Sequence, residues 1–384
     1  MSDERRPIAL LINILTASGA QRRIAEFANR FAALGRAVDV VAIYPGGPMA
    51  SMLSADVRLV TLAEPGARRR KSSLFFAPAL RRYIEAKNPA VLLSCVTDTH
   101  SVGVAVKPLL RSRGTPLILR ASRNPYRVLP ASRWAKRIIE PLKRRKFGLL
   151  YARADAIIVS APDSASGMRR LIPGYDRPIE TILHPAITDR LLAYGARPAA
   201  FPVADRPLIL GIGRLVEQKD FPTLLRACAL LGRQRPFRLV LLGKGPDRPA
   251  LAKLAHKLGI EDSVEMPGEV ESTFDWIARA DLAVSTSLWE AMQAALIEAM
   301  GLGCPVVAVD SPSGARDLLQ DGRLGELVPV RDPESLAAAM IRALDHPIDP
   351  ATLVEGVARF RAEGKAEAYL ALFDRLRAKP APSG

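Results

Sequence analysis

The chain has 384 residues, 49% of them hydrophobic, 24% charged and 5% aromatic, with a formal net charge of +16. This composition is that of a globular protein and excludes disorder, collagen and coiled coil, while the length suits two domains of about 100–200 residues with cores large enough to need no covalent staples. Cys95, Cys228 and Cys304 lie far apart, which excludes a disulfide framework or a cysteine zinc site and predicts a reducing compartment.

The first segment, Ile8 to Leu15, reads as a strand. Asn13 interrupts its apolar run and no small-residue cleavage site follows, so a signal peptide is not expected. A small-residue turn at 17–20 leads into Gln21 to Leu34, where Ile24, Phe27, Ala28, Phe31 and Leu34 fall at helical spacing. Val38–Ile43, Val91–Cys95, Leu117–Leu119 and Ala156–Val159 read as further buried strands. This alternation predicts a parallel, doubly wound sheet. Residues 193–207 carry three prolines and read as a linker. The rhythm then restarts with strands at Leu208–Ile212, Leu239–Leu242, Leu282–Ser285 and Val306–Val309, and the tail from Gly356 to Leu376 reads as closing helices. No apolar run approaches the ~20 residues that a spanning helix needs. The prediction is two Rossmann-like domains facing across a cleft, at residues 1–195 and 203–355, with a helix at about 360–384 returning to the first.

The positive charge is confined to one half. Residues 1–195 hold 32 Lys and Arg against 14 Asp and Glu, whereas residues 196–384 hold 23 against 25. Such asymmetry predicts a polyanionic partner for the first half. The densest stretch, Arg133 to Lys146, interleaves cations with Trp134, Ile138, Ile139, Leu142 and Phe147, which suits an anionic membrane surface. No zinc-finger, RRM or homeodomain signature supports a nucleic-acid partner.

Three stretches of the second half carry chemistry. In Gly211–Phe221, GIGRLVEQKDF, a strand ends in glycines that admit a close backbone approach, and Arg214 and Lys219 offer two cations to a diphosphate. Asp220 and Pro222 suit the opening of the next helix. In Leu241–Ile260 a Gly-Lys-Gly-Pro turn precedes an amphipathic helix, and Val264–Val270 follows with a central Pro-Gly that favours a turn facing the cleft, a seat for a nucleobase. In Ser287–Leu319, Glu290 and Glu298 are eight residues apart. On one helix that spacing places them roughly 80° apart and about 12 Å along the axis, enough to bracket an extended ligand. Glu298 sits in an apolar run and needs a partner, either a sugar diol or an internal Arg.

Together these stretches resemble the family-4 retaining glycosyltransferases, which have the two-domain GT-B fold. The resemblance extends over most of the chain: SGAQRRIAEFANRFAALGRAVDVVAI near the start, ADAIIVSAPDSASGMRRL and ILHPAITDRLL at the crossover, then GRL-x3-K, LGKGPDRP, the Glu pair, GCPVVAVDSPSGARDLL and GELVPVRDPESLAAA in family order. It implies that Arg214 and Lys219 hold the donor diphosphate and that Glu298 binds the ribose hydroxyls. Glu290 would contact the donor sugar, and the backbone from Met292 through Ala295 to Leu296 would touch sugar and phosphates. Met266 to Val270 would line the base pocket, with Gly213 beside the diphosphate and Gly19 approaching it from the first domain. Arg214, Lys219 and Glu290 are the catalytic candidates, while His100, Arg123 and Asn124 are candidates on the acceptor side.

The chain departs from the family pattern at Ala291, Met292 and Gln293 after the first Glu, at Asp317 in the SGxxE segment, and at His184 where relatives often have Asn. No Asp-x-Asp occurs anywhere, so neither a metal nor another cofactor is expected. The implied function is transfer of a sugar, UDP-linked, to a glycan or polyprenyl-diphosphate-linked acceptor in building capsular, lipopolysaccharide or exopolysaccharide chains. The implied place is the cytoplasm, peripheral to the inner face of the cytoplasmic membrane. The alternatives are a catalytically diverged partner subunit and a nucleotide-sugar epimerase on the same fold.

Overall fold

The computed structural model describes residues 6–16, 19–68, 70, 72–121, 141, 144–160, 162–183, 185–195, 206–290, 292–311 and 314–378. Arg123, Asn124, His184, Ala291, most of the basic stretch before Arg144 and most of the proline-rich stretch lie outside them. The chain divides into two compact units, one of Met1–Leu183 with Glu363–Gly384 and one of His184–Ala362.

In the first unit, seven strands form one parallel sheet: β1 Ile8–Ile12, β2 Val38–Ala42, β3 Val57–Thr61, β4 Val91–Ser94, β5 Leu117–Ala121, β6 Ala156–Val159 and β7 Ile179–Thr181. Their order is β3-β2-β1-β4-β5-β6-β7. Every residue of β1, β2, β4, β5 and β6 is buried, as a parallel sheet covered on both faces requires. Alternation sends Ile8, Leu10 and Ile12 into one core and Ala9 and Leu11 into the other. The helix Gly19–Ala33 covers the first of these faces beside the helix Lys365–Ala378. Between the two helices Phe27 lies 4.8 Å from Tyr369 and Phe31 lies 5.9 Å from Phe373, ring centre to ring centre. The expected returning helix is therefore part of this unit.

The second unit repeats the plan with six parallel strands: β8 Leu208–Ile212, β9 Arg238–Leu242, β10 Val264–Gly268, β11 Leu282–Ser285, β12 Val306–Val309 and β13 Glu326–Val328. Their order is β10-β9-β8-β11-β12-β13. The chain steps outward on one side of β8, then crosses back to lay β11 on its other side, pairing Val284 with Gly211. A doubly wound sheet opens a crevice at that reversal, beyond the carboxyl ends of the two strands.

Two local readings change. Val264–Gly268 is the edge strand β10 rather than a turn, with a register shift against β9 between Glu265 and Gly268. Pro267 explains both features, because a residue without an N–H is tolerated only where a ladder ends or bulges. The helix after β11 begins at Ala294, so Glu290 precedes it and the angle and rise expected for a Glu290–Glu298 helical pair do not apply.

Candidate active site

The loop after β8 is built on glycine. Gly213 has φ +152°, and a Cβ there would lie 2.3 Å from Lys219 Cε, so the lysine stem lies across the bare backbone. The loop after β9 is pressed against it. Gly213 N donates to Leu242 O at 2.9 Å and Leu215 N to Lys244 O at 2.9 Å. A Cβ on Gly243, at φ +135°, would stand 2.1 Å from Gly213 O, and one on Gly245 would stand 2.0 Å from Leu215 O. Only glycine permits this approach.

Asp220, at φ +45°, follows the turn Glu217–Lys219 and opens the helix Phe221–Leu231, its carboxylate accepting from the Thr223 hydroxyl at 2.7 Å. Burial raises the pKa of that carboxyl.

The loop after β11 is stitched to the same turn. Thr286 Oγ1 donates to Lys219 O at 2.6 Å, Leu288 N to Gln218 O at 2.9 Å, and Gln218 Nε2 to Trp289 O at 2.7 Å. These bonds hold Lys219 Nζ 2.6 Å from Glu290 Oε1, with the two side chains only 19% and 15% exposed. Ser287 Oγ donates to Glu290 Oε1 at 3.1 Å. Ser285 Oγ donates to Gln293 Oε1 at 2.8 Å, just before the helix Ala294–Gly301. The first turn of such a helix carries N–H groups without intrahelical acceptors and favours anions.

Arg214 is exposed on the loop that Lys219 closes and makes no ion pair among the described residues. Met292 and Ala295 are half-buried. Leu296 is 2% exposed, so only its backbone is available to a ligand. Glu298 is half-buried on the same helix and has a partner within the chain. Met266 packs its side chain against the core of this unit, and Val270 is half-buried just beyond β10. Gly243 N donates to Gly268 O at 2.8 Å, which ties the Met266–Val270 segment to the same edge.

The chemical content is one lysine whose charge is shared with a carboxylate, an exposed arginine on the same loop and a helix mouth, all beyond the carboxyl ends of neighbouring strands. Gln218, Thr286 and Ser287, which orient this group, were not singled out from the sequence, and Gln293 was noted only as a departure from the family pattern. The run Ser285-Thr286-Ser287, hydroxyls closing a buried strand, was the signal available.

In the first unit Gly19 opens its helix. His100 is 0% exposed, its Nδ1 sits 2.8 Å from Ser94 Oγ, and its ring meets Tyr151 edge-on at 5.3 Å. Burial pushes its pKa down to about 3, against a smaller opposing effect of a backbone hydrogen bond at Arg120. An unfolded histidine titrates near about 6.5, so the unfolded chain takes up a proton that the native state resists. The stability His100 contributes is complete above that pH and is lost as pH falls toward 3. His100→Gln is expected to flatten the acid limb of a Tm-against-pH curve, by up to about 1.4 kcal/mol per pH unit. Parallel curves for variant and wild type would contradict a neutral buried imidazole.

Two family descriptions match this chain, a glycosyl transferase 4-like domain over residues 18–183 and glycosyl transferases group 1 over residues 206–346. The chain belongs to the family-4 glycosyltransferases of the GT-B fold. Among relatives, the lipopolysaccharide core biosynthesis glycosyltransferase LpsE of Rhizobium meliloti (strain 1021) is 32% identical over 235 residues, covering 60% of this chain and 66% of its own. The chain thus spans about two thirds or less of the length of the curated relatives it matches. Among solved structures, sucrose-phosphate synthase from Thermosynechococcus elongatus superimposes with a TM-score of 0.75 at 23% identity, over 97% of this chain and 99% of its own. HepE from Anabaena, crystallised with UDP and glucose, gives a TM-score of 0.73 at 18% identity, over 96% and 100%. At these identities the structures establish the shared fold.

Proposed function

We propose that the chain is a retaining glycosyltransferase that takes a sugar from a UDP-linked donor and places it on a glycan or lipid-linked acceptor of a bacterial surface polysaccharide. The observation that carries the proposal is the Lys219–Glu290 pair, 2.6 Å apart beyond the carboxyl ends of β8 and β11. In the reaction the bond from the anomeric carbon to the diphosphate breaks and its electron pair leaves with the nucleoside diphosphate. The acceptor oxygen forms the new bond on the same face, and its proton passes to the departing diphosphate. Negative charge grows on the leaving group, where Lys219 and Arg214 stabilise it. Glu290, oriented by Lys219 and Ser287, faces the sugar, and Glu298 recognises the ribose. The UDP and glucose bound to HepE support a uridine nucleotide, and the name of LpsE supports a lipopolysaccharide product.

Metal-independent turnover follows from the use of cations and helix N–H groups for charge neutralisation, since a divalent ion on a donor diphosphate takes at least one or two carboxylates. A panel of nucleotide sugars, read by transfer and by the anomeric configuration of the product, tests the function. Turnover with a UDP-sugar, retention, and indifference to EDTA are expected. Loss of turnover in EDTA with rescue by Mn²⁺ would overturn metal independence. Absence of calorimetric affinity for both UDP and GDP would overturn the donor assignment.

A further inference from the structure

We propose that Leu74 and Phe75, with the arginines that precede them, form a wedge that docks the first unit on an anionic phospholipid surface. Phe75 is 65% exposed and Leu74 is 49% exposed. Scattered apolar side chains on a surface need no explanation, but these two are adjacent and presented by a rigid element. Their short 3-10 turn, Ser73–Phe76, is fixed from several sides. Leu74 N donates to Ser72 Oγ at 3.3 Å, and the Ser73 and Ser101 hydroxyls lie 2.9 Å apart. Phe76 turns inward to meet Tyr44 edge-on at 5.3 Å, while Arg70 N donates to the Tyr44 hydroxyl at 2.6 Å. With the turn anchored in this way, Leu74 and Phe75 are left pointing outward.

The surrounding charge has one sign. From Pro65 to Ile84 the sequence holds six Lys and Arg and no acid. Arg68 and Arg70 are exposed, and the Arg70 guanidinium lies 5.3 Å from the Phe75 ring centre. An aromatic ring and a cation at one level match the boundary between headgroups and acyl chains. Two side chains fall far short of the ~800 Å² per partner of a specific protein interface, whereas a bilayer accepts a small apolar wedge joined to a polybasic segment. Among the described residues no helix is long and apolar enough to cross a membrane. The wedge follows β3 and is bonded to the helix Thr97–Ala105 after β4, so it lies at the carboxyl edge of its sheet. Docking there would turn that edge toward a lipid-borne acceptor.

The test is co-sedimentation of the full chain with vesicles of phosphatidylcholine, alone or mixed with phosphatidylglycerol, without donor or acceptor. It therefore stands or falls separately from the transferase activity. Binding is expected to need phosphatidylglycerol and to weaken with salt. Leu74→Ser with Phe75→Ser, and separately Arg68→Gln with Arg70→Gln, should each reduce partitioning by about tenfold or more. Melting temperature and UDP affinity should be unchanged in both pairs. Phe75→Trp should bind at least as well as wild type, and Leu149→Ser, at an exposed residue elsewhere in the unit, should bind equally. Failure of the wild type to bind phosphatidylglycerol would overturn the proposal. So would wild-type binding by the Leu74/Phe75 pair, which would assign adhesion to another surface such as Lys143 to Lys146.

Discussion

Replacing Lys219 with Ala is expected to lower kcat for sugar transfer by about 10²–10³-fold while the protein stays folded. The ammonium is held 2.6 Å from Glu290 and its stem lies over Gly213. Its contribution grows as charge builds on the departing diphosphate, so the loss belongs to kcat more than to KM. Stability is a separate matter. Removing one partner of a mostly buried pair strands the other charge, whereas removing both does not. Lys219→Ala with Glu290→Gln should therefore recover thermal stability relative to Lys219→Ala without recovering turnover. Steady-state kinetics and melting curves on wild type and the two variants check this. Turnover within about threefold of wild type in Lys219→Ala would remove the residue from the reaction.

The second large effect is steric. Gly245→Ala would put a Cβ 2.0 Å from Leu215 O and 2.5 Å from Leu215 C. That oxygen already accepts from Asp247 N at 3.1 Å. Both sides of the clash are backbone, so no change of rotamer relieves it, and the loops after β8 and β9 must separate. A cost of about 3 kcal/mol is expected, lowering the melting temperature by about 6–12 °C for a unit of this size. Donor affinity should fall with it, because Arg214 adjoins the displaced Leu215. Gly259→Ala is the control: its φ is +67° but nothing lies within 4 Å of the added carbon. Only the backbone preference, about 1 kcal/mol, opposes it. Equal melting temperatures for the two variants would show that the contact at Leu215 is not confining.

What could be read from the sequence follows from where each strand sits. The interior strands, such as β1 (IALLI) and β12 (VVAV), are buried on both faces and stand out as unbroken apolar runs. The strands not anticipated, β3, β7, β10 and β13, are the four sheet edges. Arg58 in β3 reaches back to buried Asp39, Glu265 in β10 pairs with Arg238, and Pro267 breaks the ladder. An edge strand covered on one side mixes polar and apolar residues in a way that resembles a loop. The same logic applies to the site. Arg214 and Lys219 stood out as cations following an apolar strand, and Glu290 stood out by its spacing from Glu298, but their roles came from the family resemblance and the Lys219–Glu290 pairing was not read from the sequence. The bonds of Gln218 and Thr286, which bring two distant loops together, depend on tertiary pairing between β8 and β11 and leave no local trace.

The helix Lys365–Ala378 leaves the ribosome after every residue of the second unit, yet its Tyr369 and Phe373 roof over Phe27 and Phe31. Domains usually mature in the order of synthesis. Here the earlier-made half stays unsealed, its aromatic floor open to chaperones, until the later-made half is fully translated. The first unit therefore completes its core only once the helix Lys365–Ala378 has been made, after the whole of the second unit.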